Sequence, residues 1–292
     1  MAVYEHTYKP YSGEMTADWS RALVIPRHMF GAIFQSKLFV GLFAFCYLCP
    51  LVMAVLIYLH HNLNALKILN LDVSNLVAID GAFFLSYCRF QFAMSFLLTV
   101  IVGPILISQD LSNNALPLYL ARPLSRAEYV LGKSSVLGFL LSLITWIPGL
   151  LLFGLQCSLE GWSWLAKNIW IAGSILTASL VRIAILTLLA MAVSAFIKRR
   201  IAASAVLFAI FIMPQPMVLV IDQLFRTNWG SIVSLTQVMG DVTFSLFRVD
   251  RDDIFGFGSL PPVAVEWSVL IITAAACLLV LSSKIRAYEV SR

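Results

Sequence analysis

Gly132, Lys133 and Ser134 match the last three positions of the Walker A motif, a loop that binds nucleotide phosphates. That motif also needs a glycine five residues before the second glycine, after a soluble strand, and here the position holds Ala127. No other stretch matches a nucleotide-binding motif, and no soluble segment is long enough to house one. The sequence therefore predicts no nucleotide site and no cofactor in this chain, so any ATP would be bound by a separate subunit.

The side chains that could build an enzyme site are His60 and His61, with Asp72 or Asp80. An enzyme that modifies lipids would need such residues clustered at the membrane interface. Adjacent histidines without a nearby Cys or carboxylate to complete a ligand set are typical of solvated side chains. We therefore expect no catalytic residue and no metal site, and a membrane-embedded lipid-modifying enzyme is kept as an alternative.

Arg182 lies near the middle of an apolar stretch at about 169–197. An arginine inside a membrane is energetically expensive and faces a bundle interior or a wet cavity. No acidic residue is predicted at the same depth in another span, since Asp222 and Glu266 fall nearer the outer surface. Two roles stay open for Arg182: contact with an anion or lipid headgroup, or a structural pair with a carboxylate or a free backbone carbonyl.

The composition places these residues in an integral membrane protein. Of 292 residues 60% are hydrophobic and only 12% are charged, with a mean hydropathy of +0.89. Apolar runs of about 20 residues recur, each long enough to cross the hydrocarbon core as a helix. We predict an all-α fold with six transmembrane helices, at about 38–59, 82–109, 134–155, 169–197, 201–221 and 263–282.

Two further segments complete the predicted architecture. Residues 1–37 form a cytosolic tail and an interfacial amphipathic helix from Asp18 to Lys37 that is interrupted at Pro26, and residues 38–292 form the transmembrane domain. The outer segment 222–262 includes a stretch at 230–247 that is too apolar to be solvated and too short to span. It is predicted to be a re-entrant or surface-lying helix.

Prolines predict irregularities in two spans. Pro148 is expected to kink the third span. Pro214 and Pro216 are expected to interrupt the fifth span, so that its outer half is not a regular helix.

The distribution of Lys and Arg sets the predicted orientation. Thirteen of them fall in the segments that would be cytosolic if both termini are inside, and five fall in the opposite segments. The positive net charge of +5 thus follows membrane topology and indicates membrane lipids, not nucleic acid, as the surroundings. The polar segment 110–133 therefore faces the cytosol.

This segment 110–133, which we call the island, has features beyond those of a topological anchor. Its centre, LPLYLARPL, is apolar, and Pro117 and Pro123 bracket a short rigid piece. Arg122, Arg126 and Glu128 offer charge pairing. An apolar face with a charged rim is typical of a surface that docks a partner, although anchoring of the helices alone would also account for the charges.

The island also resembles the cytosolic loop of type-2 ATP-binding-cassette (ABC) exporter permeases. The likeness lies in an acidic residue that ends the second span, a leucine-rich short helix and then RPLSRAEYVLGK. The architecture is similar over the whole chain, whereas the motif covers only 110–133. Within it, Asn113-Asn114-Ala115 stands where the family often has an acidic-to-glycine-threonine pattern.

The resemblance implies a permease subunit in a plasma membrane, the inner membrane of a bacterium. It would dimerise with a second copy or a homologous permease, with a substrate path lined by the first, second and fifth spans. Two ABC ATPase subunits, which hold ATP and Mg, would dock on the island and on the N-terminal helix, at Arg21, Arg27 and Lys37. The implied coupling residues of the island are Asp110, Tyr119, Arg122, Pro123, Arg126, Glu128 and Lys133.

Other function classes stay open on the sequence alone. A secondary transporter or channel without an ATPase would carry paired ionisable residues at mid-membrane and often an inverted repeat. The sequence has one mid-span arginine, no mid-span carboxylate and no obvious repeat. The permease fold could also serve an assembly or signalling role.

Overall fold

The computed structural model describes residues 18–62, 78–112, 126–249 and 260–287. Within these ranges the chain is helical and contains no strand. A short 3₁₀ helix spans Trp229–Val233. The α-helices, in chain order, are α1 Asp18–Phe34, α2 Lys37–Cys46, α3 Leu48–His61, α4 Gly81–Ser112, α5 Arg126–Ile144, α6 Trp146–Glu160, α7 Trp162–Phe196, α8 Arg200–Ile212, α9 Pro214–Phe225, α10 Leu235–Leu246 and α11 Val263–Ala287.

Six helical segments of the described chain are long and apolar enough to cross a membrane, which confirms the prediction of an all-helical fold with six helical segments of membrane-spanning length and hydropathy. Three of the six are built from two consecutive helices. In chain order the first to sixth spans are Lys37–His61, Gly81–Ser108, Glu128–Glu160, Trp162–Phe196, Arg200–Phe225 and Val263–Lys284.

The second, third and fourth spans form the core of the bundle. In the most apolar stretch of the fourth span 67% of the residues are buried, whereas in the corresponding stretches of the first, fifth and sixth spans only 17% are buried. α7 packs against α4, α6 and α11. The first, fifth and sixth spans therefore lie at the periphery, with most of their apolar surface outward.

The first, third and fifth spans are each interrupted once, and each interruption lies three residues before a proline. A proline cannot donate to the carbonyl four residues earlier, and its ring clashes with that carbonyl. The kink predicted from Pro148 is thereby confirmed. The interruption of the first span was not predicted from the sequence. The pairs are Tyr47 with Pro50, Thr145 with Pro148, and Met213 with Pro216.

Carbonyls released by prolines accept hydrogen bonds from neighbouring spans. Pro50 frees the Cys46 carbonyl, which accepts from Gln91 Nε2 at 2.8 Å. Pro104 lies inside α4 without interrupting it, and the Val100 carbonyl, four residues earlier, accepts from Ser204 Oγ at 2.9 Å. A carbonyl in hydrocarbon has no water to bond, so these side chains hold the irregular helices in place.

The predicted interruption of the fifth span is confirmed at Met213, but two other expectations about proline were wrong. The outer half of the fifth span is a regular helix, α9, because Pro214 and Pro216 lie in its first turn, where backbone N–H groups need no helical partner. The N-terminal helix α1 also continues through Pro26.

α1 packs along α5 near the end of the bundle at which the second span finishes. Met29 and Ile33 are buried in the main apolar cluster, and the ring of Phe30 meets that of Phe139 at 5.5 Å. Its location at a membrane interface stays a prediction, and the predicted tail at 1–16 lies outside the described residues.

The predicted helix between the fifth and sixth spans corresponds to α10. Its first turn bonds the middle of the fifth span, through Thr236 Oγ1 and the Phe211 carbonyl at 3.1 Å. Its last turn bonds the first half of the fourth span, where Ser174 Oγ donates to the Leu246 carbonyl at 2.7 Å. α10 thus packs among the spans over its whole length, and its depth in a membrane stays a prediction.

Candidate functional site

The two ends of the island meet at a buried ion pair. Asp110 lies in the last turns of α4, and Lys133 lies two turns into α5, with Nζ 2.8 Å from Asp110 Oδ2. The Tyr129 hydroxyl donates to the same oxygen at 2.6 Å. Because Tyr129 and Lys133 are four residues apart on a helix, they share one face and converge on the carboxylate.

Burial makes this pair costly to break. Lys133 is 3% exposed and Tyr129 is 1% exposed, while the Asp110 side chain is 13% exposed. The Lys133 ammonium also lies 5.7 Å from the centre of the Tyr129 ring. Removal of one member of a buried ion pair strands the other charge and typically costs about 3–5 kcal/mol. The structure therefore fixes the end of the second span to the start of the third.

The remaining predicted island residues are placed as follows. Glu128 is exposed in the first turn of α5. The side chain of Arg126 lies outside the described residues, although its backbone begins α5. Tyr119, Arg122 and Pro123 lie outside the described residues altogether.

The structure describes the side chains of two of the three basic residues predicted on the N-terminal helix. Arg27 in α1 and Lys37 at the start of α2 are exposed. The side chain of Arg21 lies outside the described residues.

The second span packs closely against the fourth span at Gly103, which precedes Asp110 in the chain. The Ser194 hydroxyl shares its hydrogen bond between the Ala190 carbonyl of its own helix and the Gly103 carbonyl, which it approaches to 2.9 Å. A Cβ atom on Gly103 would lie 2.8 Å from Ala190 Cβ, so only glycine allows this approach. Displacement of the Asp110 end of α4 would therefore be passed to the fourth span.

A cavity of about 570 Å³ opens in the other half of the bundle. It lies between the second, fourth and fifth spans and α10, and its volume is in the range of small-molecule sites. Its lining residues are Leu85, Arg89, Phe92, Ala93, Phe96, Arg182, Phe211, Ile212, Val218, Leu219, Asp222, Asn228, Ser231, Thr236, Gln237, Gly240, Asp241, Thr243, Phe244 and Leu260.

This cavity, which also holds the buried carboxylate of Asp222, contains a buried cation, Arg182. Arg182 is 8% exposed, its Nε is buried, and that atom has no hydrogen-bond partner among the described residues. The guanidinium carbon lies 4.7 Å from the centre of the Phe92 ring. A desolvated cation–π contact is worth about 2 kcal/mol, whereas burial of an unpaired ion costs several kcal/mol. Phe92 alone does not compensate the charge.

The acidic residues of the cavity do not supply the missing counter-charge. In the described part of the chain no carboxylate lies within ion-pair distance of Arg182. Asp222 Oδ1 instead accepts from the Gly230 backbone N–H at 2.7 Å, and Asp241 takes part in another interaction. The structural pairing considered for Arg182 is therefore not formed with a carboxylate.

The sequence pattern located Arg182 but missed the residues that share its cavity. Arg89, which is exposed, lies over the Phe244 ring at 5.5 Å and lines the cavity. Gln237 and Asp241 lie in a segment whose depth was left open by the sequence. The regular spacing of Gln237, Gly240 and Phe244 along one face of α10 was the available signal.

The two adjacent histidines lie at the end of α3, where His61 has a carboxylate partner. His61 Nε2 lies 2.7 Å from Glu160 Oε2, a partner from another span that the sequence did not indicate. Asp80 accepts hydrogen bonds from the backbone N–H groups of Ala82 and Phe83 and so begins α4, while Asp72 lies outside the described residues. Within the described ranges no group of three or more His, Cys, Asp or Glu could hold a metal ion.

Comparison with known proteins adds no relative: no protein-family model matches this chain, and no curated protein matches it.

Proposed function

We propose that this chain is the transmembrane permease subunit of an ATP-binding-cassette exporter, driven by ATPase subunits that dock on the island 110–133. The observation that carries the proposal is the Asp110–Lys133 pair, 2.8 Å apart and buried. A docking element must transmit force to the spans, and this pair joins both ends of the island to the bundle.

The contacts that join the second, third and fourth spans support transmission of movement from the island to the bundle. A partner that pushes on the island would move α4 and α5 together, because Asp110 bonds Tyr129 and Lys133. Ser194 and the close contact at Gly103 would pass this movement to the fourth span. Two packed arrangements of these spans would then alternate as the ATPases close and reopen.

The peripheral spans offer the surface that a permease dimer requires. The first and fifth spans expose large apolar side chains, including Leu51 at 62% and Val220 at 62%. A second copy or a homologous permease would pack there, with the remainder facing lipid. The substrate path would lie between the two subunits, and export would run from the side of the island, here proposed to be the cytosol.

Purification in mild detergent with identification of the co-purifying chains tests the proposal. We expect an ATPase with Walker motifs to be recovered with the wild-type chain. Absence of any such ATPase under several mild conditions would contradict the proposal.

A charge reversal on the island sharpens this test. Glu128→Arg, on the exposed rim, is expected to abolish recovery of the ATPase while membrane insertion is unchanged. Lys167→Glu is the control charge reversal, because Lys167 is exposed near the start of the fourth span, at the opposite end of the bundle. Equal recovery of the ATPase with both variants would exclude docking through this rim.

A secondary transporter is the second candidate, since ionisable residues of both signs line one cavity: Arg89, Arg182, Asp222 and Asp241. It predicts substrate uptake by proteoliposomes that contain this chain alone and an ion gradient. The ABC proposal predicts no transport under these conditions unless the ATPase and ATP are supplied.

A further inference from the structure

Among the residues that the structure describes, Lys133 and Arg182 are buried cations, and they differ in whether a carboxylate lies beside them. Lys133 is 3% exposed and has the Asp110 carboxylate at 2.8 Å. Arg182 is 8% exposed, has a buried Nε without a hydrogen-bond partner in the described chain, and faces a cavity. A buried charge needs a counter-charge, and at Arg182 the protein leaves room for one.

We propose that this cavity binds the phosphate headgroup of an acidic membrane amphiphile, with Arg182 as the counter-ion. A guanidinium presents several N–H donors in a fork that matches the oxygens of a phosphate. The binding site belongs to this chain alone and requires no ATPase, so it stands or falls independently of the proposed transport function.

The hydrogen bonding of the charged groups that line the cavity favours an anion over a cation. Asp222 uses Oδ1 for the Gly230 backbone N–H at 2.7 Å, and Asp241 is engaged in another interaction. Both carboxylates line the cavity, but neither forms an ion pair with Arg182. Arg89, which contributes a second guanidinium, lies at 5.5 Å over Phe244. The formal charges that line the cavity therefore sum to zero, and the Nε of Arg182 is a buried ionic group there that has no hydrogen-bond partner among the described residues.

The walls favour an amphiphile over a free inorganic ion. Phe92, Phe96 and Phe211 supply aromatic surface beside Arg182. At the rim, Ile212 is 45% exposed and Leu219 is 47% exposed, on a peripheral span. An acyl chain could leave the cavity across this apolar rim into the surrounding lipid, and a free phosphate would gain nothing from these surfaces.

A second polar group of the cavity, the side chain of Gln237, indicates which kind of headgroup would bind. Gln237 Oε1 is buried in the cavity wall and has no hydrogen-bond partner among the described residues. A carbonyl oxygen accepts hydrogen bonds, so it calls for a donor on the ligand. A phosphate that carries a hydroxylated substituent, such as glycerol, would satisfy both Arg182 and Gln237. Phosphatidylglycerol is therefore the probe of choice.

The test measures lipid binding to the purified full-length chain in a neutral maltoside detergent. Dioleoylphosphatidylglycerol and dioleoylphosphatidylcholine are titrated separately, and native mass spectrometry reports the bound fraction. We expect the acidic lipid to bind about tenfold or more tightly. Equal binding of the two lipids would overturn the proposal, because the neutral headgroup lacks the net charge that Arg182 would recognise.

Variants assign the binding to Arg182. Arg182→Gln is expected to weaken the acidic lipid about tenfold to a hundredfold, and Arg182→Lys less, because it keeps the charge but loses the fork. Arg248→Gln is the matched control, since Arg248 lies at the same 4.7 Å from an aromatic ring, that of Trp170, and does not line the cavity. Equal loss in Arg182→Gln and Arg248→Gln would mean non-specific attraction and would overturn the proposal.

Stability in lipid-free detergent separates a ligand contact from a structural role. An unpaired buried charge is a liability, so Arg182→Gln should unfold at the same temperature as the wild type or higher. Phosphatidylglycerol should then raise the unfolding temperature of the wild type but not of Arg182→Gln. A variant that fails to fold without lipid would show that the guanidinium is structural and would count against the proposal.

Inorganic phosphate distinguishes the source of the anion. We expect no shift in unfolding temperature with millimolar phosphate alone. A shift that depends on Arg182 and matches the effect of the lipid would replace the amphiphile by a free anion and overturn the proposal as stated.

Discussion

The Lys133 ammonium lies 2.8 Å from the Asp110 carboxylate, across a stretch of chain that separates two membrane-spanning helices. The Tyr129 hydroxyl donates to the same oxygen, so one carboxylate holds two donors of α5. Such an arrangement resists separation of the two helices, because either charge alone would be stranded in a poorly solvated site. This property makes it a suitable base for a segment that transmits movement.

Asp110→Asn is expected to lower the free energy of unfolding by about 3 kcal/mol, because Lys133 stays buried without its counter-charge. Lys133→Met should also destabilise, and the double variant should lose less than the sum of the two. Thermal unfolding in detergent, followed by tryptophan fluorescence, provides the measurement. Additive losses would show that the two side chains do not interact in solution.

Ser204→Ala is expected to lower the free energy of unfolding by about 1–3 kcal/mol, because the Val100 carbonyl, released by Pro104, loses its donor. Ser268→Ala is the control, since the exposed Ser268 hydroxyl bonds only the Ala264 carbonyl of its own helix. Its effect should stay within about 0.5 kcal/mol. A result as small for Ser204→Ala would mean that the carbonyl finds another donor.

Gly103→Ala is expected to destabilise the protein by about 1–3 kcal/mol, because the new methyl group would lie 2.8 Å from Ala190 Cβ. Gly154→Ala serves as the comparison, since a Cβ there meets nothing within 4 Å. Alanine favours a helix over glycine, so Gly154→Ala should be neutral or stabilising. Unfolding temperatures of the two variants measured side by side give the answer, and equal values would refute the close contact.

Asp222→Ala is expected to cost about 1–3 kcal/mol, because the buried Gly230 N–H loses its acceptor at 2.7 Å. Asp222→Asn keeps an acceptor oxygen and should cost less. Hydrogen exchange at the Gly230 amide reports the bond directly. Unchanged protection of that amide in Asp222→Ala would show that another group accepts the bond.

The spans were predictable because the requirement that creates them is local. Hydrocarbon offers no hydrogen-bond partner to the backbone, so a chain that crosses it must be helical and apolar over about 20 residues. The six predicted stretches match six helical segments, and Arg182 lies within the fourth as predicted. The prolines were less informative, because the same residue can break a span, as at Pro148, or start a helix, as at Pro214.

The site was predictable only in part, because its contacts join residues distant in sequence. Asp110 and Lys133 were both singled out, but no pattern stated that they pair. Arg182 was recognised by its depth, whereas its neighbours Gln237 and Asp241 come from a segment more than 50 residues away.

The sequence alone thus determined which stretches cross the membrane and where charges concentrate, since hydropathy and charge act residue by residue. Only the tertiary structure decided which faces of those helices meet. Spans that are apolar on all sides carry no signal for their rotation about their own axes, and close packing sets that rotation. The packing pairs Lys133 with Asp110 and leaves Arg182 facing a cavity without an ion pair in the described chain.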